Sequence, residues 1–270
     1  MPTTIQAALL GTVQGLTEFL PVSSSAHLIL ARMFFGFDGD KFGLAFDVAC
    51  HVGTLIAVLI YFRREVAQMI ASLPKIADPA HSEGARLIWM LAVGTIPAVV
   101  VGLLFNKRIE ADMRTPSIAA AALAIGAIGL MAAERLGTKS RSDNSLTLGE
   151  AFLLGCAQAV ALIPGVSRSG ATITVALLIG LWRADAARFI FLLAIPAILA
   201  AAAHEAPKVL RAGMSGDEAT LFAIGIVSSG IVGYLAVKYF IRYLAAHSLD
   251  IFAWYRLALA AAVGVWLLRA

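Results

Sequence analysis

Two apolar stretches, residues 5–35 and 151–181, constrain this chain more than anything else in it. Each is about half as long again as the roughly 20 residues a membrane-spanning helix needs, and each is broken in its middle. Pro21 followed by Ser23-Ser24-Ser25 interrupts the first, and Pro164-Gly165 followed by Ser167-Arg168-Ser169 the second. Proline removes a helical hydrogen bond and clashes with the preceding turn, whereas serine favours the start of a new helix. Both stretches therefore read as helix, break, helix. In lipid, such a break is tolerated only where protein buries it or where it lines a wet cavity.

The rest of the chain supplies the membrane. Hydrophobic residues make up 60% of it and charged residues 14%, against roughly 25% charged in soluble domains. Six further apolar segments near 44–62, 87–105, 117–133, 189–204, 219–237 and 251–268 approach spanning length. The expected fold is an all-α polytopic membrane protein, a single integral membrane domain over 1–270. The net charge of +4 comes from Lys and Arg lying mainly between apolar segments, which suits topology-setting flanks and excludes nucleic acid as a partner. Cys50 and Cys156 both lie in apolar surroundings and read as small buried residues. The N-terminus lacks a basic n-region and its first apolar stretch contains Glu18, so no cleavable signal peptide is expected.

The two broken segments resemble each other. At an offset of 144, Gly11 meets Gly155, Gln14 meets Gln158, and Val22, Ser23, Ser25 and Ile29 meet Val166, Ser167, Ser169 and Ile173. Six identities without a gap point to a duplication, repeat 1 over about 1–135 and repeat 2 over about 145–270. If both segments are re-entrant hairpins, the three spans between them make them enter from opposite faces. About six transmembrane helices plus two such hairpins then form an inverted-topology repeat whose tips meet near the midplane. On that topology the loops 63–86, 134–148, 183–188 and 238–250 share a face and hold eleven Lys and Arg, more than the other face. The positive-inside tendency places both termini outside the cytoplasm.

The tips carry chemistry. A charge near the bilayer centre costs about 2.5–3.5 kcal/mol even on the lenient insertion scale, so Glu18, His27 and Arg168 are functional candidates by default. Gln14 and Glu18 share a helix face. Ser23, Ser24 and Ser25 sit at a helix N-terminus, where free N–H groups attract anions. Ser167-Arg168-Ser169 repeats the arrangement and adds a guanidinium, the bidentate phosphate binder. His27 can move a proton near neutral pH, and Glu18 can hold a divalent cation or act as a base. Singly, a buried Glu, a lone His or a Pro-Gly-Ser turn is more simply structural; jointly, at two duplicated breaks, they point to phosphate chemistry. No Walker A sequence, no HExxH and no paired acidic motif of the prenyl-transferring kind is present. Ser25-Ala26-His27 and Ser167-Arg168 echo parts of the acid-phosphatase-type lipid phosphatase signature, but no later His or Asp follows at the required spacing.

Gln14-Gly-Leu-Thr-Glu18-Phe-Leu-Pro21-Val-Ser23-Ser24-Ser25-Ala-His27, taken with Pro164-Gly165-Val-Ser167-Arg168-Ser169-Gly-Ala-Thr172, resembles the bacterial undecaprenyl-diphosphate phosphatase family, also called the bacitracin-resistance protein family. The resemblance covers essentially the whole chain in length, span order and both motifs. It implies a multi-pass enzyme of the bacterial cytoplasmic membrane that converts undecaprenyl diphosphate to undecaprenyl phosphate and inorganic phosphate. The product is the lipid carrier for cell-wall synthesis, and abundance of the enzyme confers bacitracin tolerance. It also implies dependence on a divalent cation, Mg2+ or Ca2+. The family's acidic motif is Glu or Gln, three residues, then Glu; this chain supplies Gln14 and Glu18, one carboxylate where some relatives have two.

The expected roles follow. Arg168, hairpin N–H groups including that of Gly165, and the hydroxyls of Ser23, Ser169 and Thr172 bind the diphosphate. Glu18 positions the metal with Gln14 helping through its neutral oxygen, and His27 activates the nucleophile or protonates the leaving group. The nucleophile is a hydroxyl, Ser24 or Ser167, or a water. The partners are the polyprenyl diphosphate lipid and the bilayer, with a homodimer compatible. The rival function is a transporter or flippase of a phosphorylated polyprenyl lipid using the same midplane anion site.

Overall fold

The computed structural model describes residues 1–39, 41–79, 82–213 and 215–269, apart from the side chains of 106, 210 and 212. Eleven α-helices cross those residues: α1 (Thr3–Phe19), α2 (Ser24–Phe35), α3 (Leu44–Tyr61), α4 (Arg63–Ala71), α5 (Glu83–Asp112), α6 (Pro116–Leu136), α7 (Leu148–Val160), α8 (Arg168–Leu178), α9 (Arg183–Ala212), α10 (Gly216–Leu244) and α11 (Asp250–Leu267). Among the described residues there is no β-strand, only an isolated bridge between Arg141 and Leu181. Six helices, α3, α5, α6, α9, α10 and α11, are long and apolar enough to cross a membrane. The chain is an all-α, multi-pass membrane protein.

Local chemistry sets the helix ends. Ser215 with Glu218 and Thr147 with Glu150 form capping boxes at the starts of α10 and α7, each satisfying orphan N–H groups at both ends of the motif. Thr115 caps α6, with Pro116 at its first position, where a missing N–H costs nothing. Helices α5, α9 and α10 run past the apolar segments that announce them. Their extra turns carry Arg108 and Glu110, Glu205 and Lys208, and Asp217 and Glu218, so a hydropathy pattern sees only the apolar part of each helix. Helix α4 has no apolar announcement at all and buries none of its residues.

Both long segments are broken where the prolines predict. α1 stops at Phe19 and α2 starts at Ser24; α7 stops at Val160 and α8 starts at Arg168. The residue before each second limb has the same left-handed backbone: Ser23 at φ 73°, ψ 93° and Ser167 at φ 72°, ψ 113°. Such conformations cost about 1–3 kcal/mol for a non-glycine residue and persist only where the surroundings enforce them. Their recurrence at the offset of 144 extends the sequence similarity into backbone geometry.

The packing also recurs. α1 lies along α10 and α7 along α5, each first limb docking on a long helix of the other half. A Cβ at Gly11 would strike Gly225 and Ser228, and a Cβ at Gly155 would strike Gly94 and Pro97. Glycine at these two counterpart positions is what allows the backbones to approach. The largest core cluster draws heavily on α9, with Phe189, Phe191 and Leu192 among its members. Of the apolar window of α9, 56% is buried, against 17% for α11, so α9 is the central post and α11 a peripheral one.

Candidate active site

The two breaks are tied to each other. Ser169 Oγ donates to the Leu20 carbonyl at 2.9 Å, and the Gly165 N–H donates to Ser25 Oγ at 3.3 Å. Within each break the hydroxyls pair alike, Ser23 with Ser25 and Ser167 with Ser169, both at 3.2 Å. Behind them Arg256 of α11, 0% exposed, donates to the carbonyls of Pro21, Gly165 and Val166 on the breaks and of Ala122 and Leu123 on α6. It binds the free carbonyls that the breaks create, which in lipid would otherwise lack partners.

Glu18, 6% exposed at the end of α1, is the hub. Its Oε2 accepts from Gln14 Nε2 at 2.8 Å and from the Ser24 hydroxyl at 2.7 Å, with His51 Nε2 3.4 Å away. Its Oε1 pairs with the Arg168 guanidinium from the other break. His51 Nδ1 lies 2.7 Å from the Asp47 carbonyl. Both ring nitrogens therefore face oxygens, one of the Asp47 carbonyl and one of Glu18. Asp47 in turn is held by Arg32 and Arg114.

A cavity of about 310 Å³ opens onto this hub. Glu18, Ser23, Ser24, Ser25, His51, Ser167, Arg168 and Gln158 form its polar end. Ala98, Val99, Gly102 and Leu103 of α5, Leu162, and Ala197, Ile198, Ala200 and Ala201 of α9 form an apolar wall. Glu110, His204 and Glu205 lie at the far rim, near the C-terminal ends of α5 and α9. One polar end with charged donors and one long apolar wall suits an amphiphile with an anionic head.

Several expected residues sit elsewhere. His27 does not line the cavity; its Nδ1 lies 2.7 Å from the Ser23 carbonyl and its Nε2 2.7 Å from the Tyr255 hydroxyl, with the two rings stacked. Its helix turns it toward α11, away from Glu18. Thr172 is wholly buried, and its hydroxyl donates to the Arg168 carbonyl at 2.6 Å, so it braces the first turn of α8. Ser169 is spent on Leu20, and Gly165 spends its N–H on Ser25. Gln14 turns its amide nitrogen, not its oxygen, toward Glu18, and its Oε1 is buried without a partner. The residues present do not fit a resident divalent cation. Both Glu18 oxygens are taken by donors and an arginine, and among the described residues no group of three or more His, Cys, Asp or Glu converges.

The chain matches the family described as bacitracin resistance protein BacA over residues 7–262. It belongs to the bacitracin resistance protein family. It is 47% identical over 268 residues, 98% of each chain, to a protein of Rubrobacter xylanophilus named undecaprenyl-diphosphatase. Proteins of the same name from Geobacter metallireducens and Moorella thermoacetica are 43% identical over 261 residues and 42% identical over 270. They cover 96% of both chains in the first case and, in the second, 99% of this chain and 100% of the relative.

In this member of the bacitracin resistance protein family, two site residues escape motif reading. His51 lies one turn beyond Asp47 in an otherwise apolar span, and Arg256 is a lone charge inside residues 251–268. Each carried the one signal that could have found it, an ionisable group at membrane depth. Neither lies in a broken segment, where the sequence directs attention.

Proposed function

We infer that the chain hydrolyses undecaprenyl diphosphate to undecaprenyl phosphate and inorganic phosphate, recycling the lipid carrier of cell-wall synthesis and, when abundant, giving bacitracin tolerance. The observation that carries this reading is one carboxylate, Glu18, holding a serine hydroxyl on one oxygen and an arginine on the other at the head of an amphiphile-shaped cavity. A clamp for transport needs Arg168 but has no use for a hydroxyl aimed at a base, so the enzyme reading is favoured over the flippase.

The geometry supports the following chemistry. The diphosphate draws the Arg168 guanidinium onto its oxygens, which relieves Glu18 of its counter-ion and raises its basicity. The Ser24 oxygen attacks the terminal phosphorus as its proton passes to Glu18 Oε2. The bond from phosphorus to the bridging oxygen breaks with its electron pair, Glu18 passes its proton to that oxygen, and undecaprenyl phosphate leaves. Glu18, ionised again, takes a proton from a water that attacks the phosphoserine and returns it to the Ser24 oxygen as the bond from phosphorus to that oxygen breaks and inorganic phosphate departs. Arg168, with His51 beside Glu18, offsets the charge that develops, the main work a protein does in phosphoryl transfer. Ser24 is preferred to Ser167 because the Ser167 hydroxyl already accepts from the Gly170 N–H at 3.0 Å. His27, Ser169, Thr172 and Gly165 shape the breaks that present these groups. A divalent cation enters, on this reading, as the counter-ion of the diphosphate. With re-entrant hairpins, the rim at the ends of α5 and α9 lies on the same face as the chain termini, so the site of this cytoplasmic-membrane enzyme opens on its non-cytoplasmic side.

The test is phosphate release from undecaprenyl diphosphate by the purified protein, beside Ser24→Ala and Ser167→Ala, with acid-quenched trapping of radiolabelled phosphoserine. Label on Ser24 in wild type, lost in Ser24→Ala together with turnover, is the expected result. Full turnover by folded Ser24→Ala would move the attack to water, and no release by folded wild type would favour transport.

A further inference from the structure

We propose that Gln158 is a substrate-binding residue, its side-chain amide donating to a phosphate oxygen of the diphosphate in the cavity. The proposal rests on the phosphatase reading for the identity of the ligand, and on three separate observations for the contact itself.

Gln158 lies on α7 and is 3% exposed, and it lines the same cavity as Glu18, Ser24 and Arg168. Its Nε2 is buried and has no hydrogen-bond partner. A buried amide N–H left unpaired is costly, and native proteins seldom leave one without a purpose. The third observation comes from the repeat. Gln14, its counterpart at the offset of 144, satisfies its Nε2 on Glu18, one turn further along α1. The residue standing where Glu18 would stand in the second half is Leu162, which also lines the cavity. The second half has thus kept the amide and lacks the carboxylate that would occupy it. A donor with no acceptor of its own, on a residue that lines the cavity with Arg168, is complementary to an anion that arrives from outside. Because Nε2 is held by no partner, the amide can turn end for end to present its N–H groups to the cavity.

The experiment compares wild type with Gln158→Met, which keeps the volume and removes the donor, and Gln158→Glu, which keeps the shape and adds a negative charge. Two readouts are taken: KM and kcat on undecaprenyl diphosphate, and the protection against thermal unfolding given by inorganic pyrophosphate, a probe that needs no turnover. Loss of a hydrogen bond to a charged group predicts a KM about tenfold or more higher in Gln158→Met, higher again in Gln158→Glu, with weaker protection by pyrophosphate in both. If the amide is only a structural orphan, removing it relieves an unpaired donor. Gln158→Met then melts higher, while KM and pyrophosphate protection stay at wild-type values, and that outcome overturns the proposal. Should wild type prove unable to hydrolyse the lipid, the phosphatase reading fails by itself, while pyrophosphate protection still decides whether Gln158 contacts the anion.

Discussion

The ion pair between Glu18 and Arg168 joins the two halves of the chain, and its removal gives the sharpest test of the mechanism. Arg168→Ala takes away the cation that meets the phosphates and leaves the Glu18 charge with Gln14, Ser24 and His51 as its remaining partners. An arginine acting on a transferring phosphoryl group contributes about 10³–10⁵ in rate, or about 4–7 kcal/mol at 1.36 kcal/mol per tenfold. Glu18→Gln removes the base that accepts the Ser24 proton, a loss of about 10²–10⁴ for general base catalysis. It also frees Arg168 from its counter-ion. Substrate then binds at least as tightly, so KM holds or falls while kcat collapses.

Independent roles would multiply these losses to about 10⁵–10⁹ in the double variant. The structure predicts otherwise, because the carboxylate and guanidinium act on one Ser24–phosphate encounter and neither is useful without the other. The double variant should be no worse than about tenfold below the poorer single one, as for other residues that act as a unit. The assay is release of labelled phosphate from undecaprenyl diphosphate in detergent, with thermal melts to show that each variant is folded. Singles that lose less than tenfold, or a double variant showing the full product of the two losses, would refute the shared-hub argument.

Other consequences are simpler to state. Tyr255→Phe deletes one partner of His27 outside the cavity and should cost about 1 kcal/mol of stability with kcat unchanged, read from melts and turnover. Arg256→Met strips five break and α6 carbonyls of their donor and should prevent isolation of a folded protein, whereas Arg256→Lys, which keeps the charge with fewer donors, should fold with a lower melting temperature; size-exclusion profiles distinguish the two. At the start of α7, the Arg141 guanidinium beside Glu150, with help from Thr147, holds the carboxyl down to about 2 from an ordinary 4.5. Because the folded value is depressed, the stabilisation is complete above pH 4.5 and lost as the pH falls toward 2. The melting-temperature gap between wild type and Glu150→Gln should therefore narrow through that window.

Much of this was legible in the residues. The six spans follow from hydropathy, and both breaks from proline followed by serine, because these signals are local and the bilayer leaves few alternatives. The meeting of Glu18 and Arg168 follows from the intramembrane cost of each charge. What could not be read was direction. Whether His27 on α2 faces Glu18 or Tyr255 depends on the rotation of a short helix after a left-handed serine. That rotation is fixed by contacts with α11, more than 220 positions away in the chain. Likewise Thr172 looks like a phosphate ligand in a motif string, yet a threonine in a first helical turn can satisfy itself on the carbonyl four residues back, and here it does. His51 was invisible for a related reason: its importance comes from the partner opposite it, and only the packing of α3 on α1 supplies that partner.

The site is lopsided although the two breaks are built alike. Two equal halves would present equal groups, and at the breaks the scaffolding is indeed equal: a left-handed serine, a serine pair at 3.2 Å and a glycine contact recur in both. The reacting positions are where the halves differ. Glu18 stands opposite Leu162 in the repeat register, and Ser24 opposite Arg168. On the proposed mechanism one break brings the base and the nucleophile, and the other brings the cation and an unpaired amide. On that mechanism, hydrolysis of the charged phosphoanhydride head needs both sets at once, and neither break carries them alone. A hub made from unlike members of like motifs can form only where the two tips touch, and Ser169, Ser25 and Arg256 spend their hydrogen bonds holding the tips together.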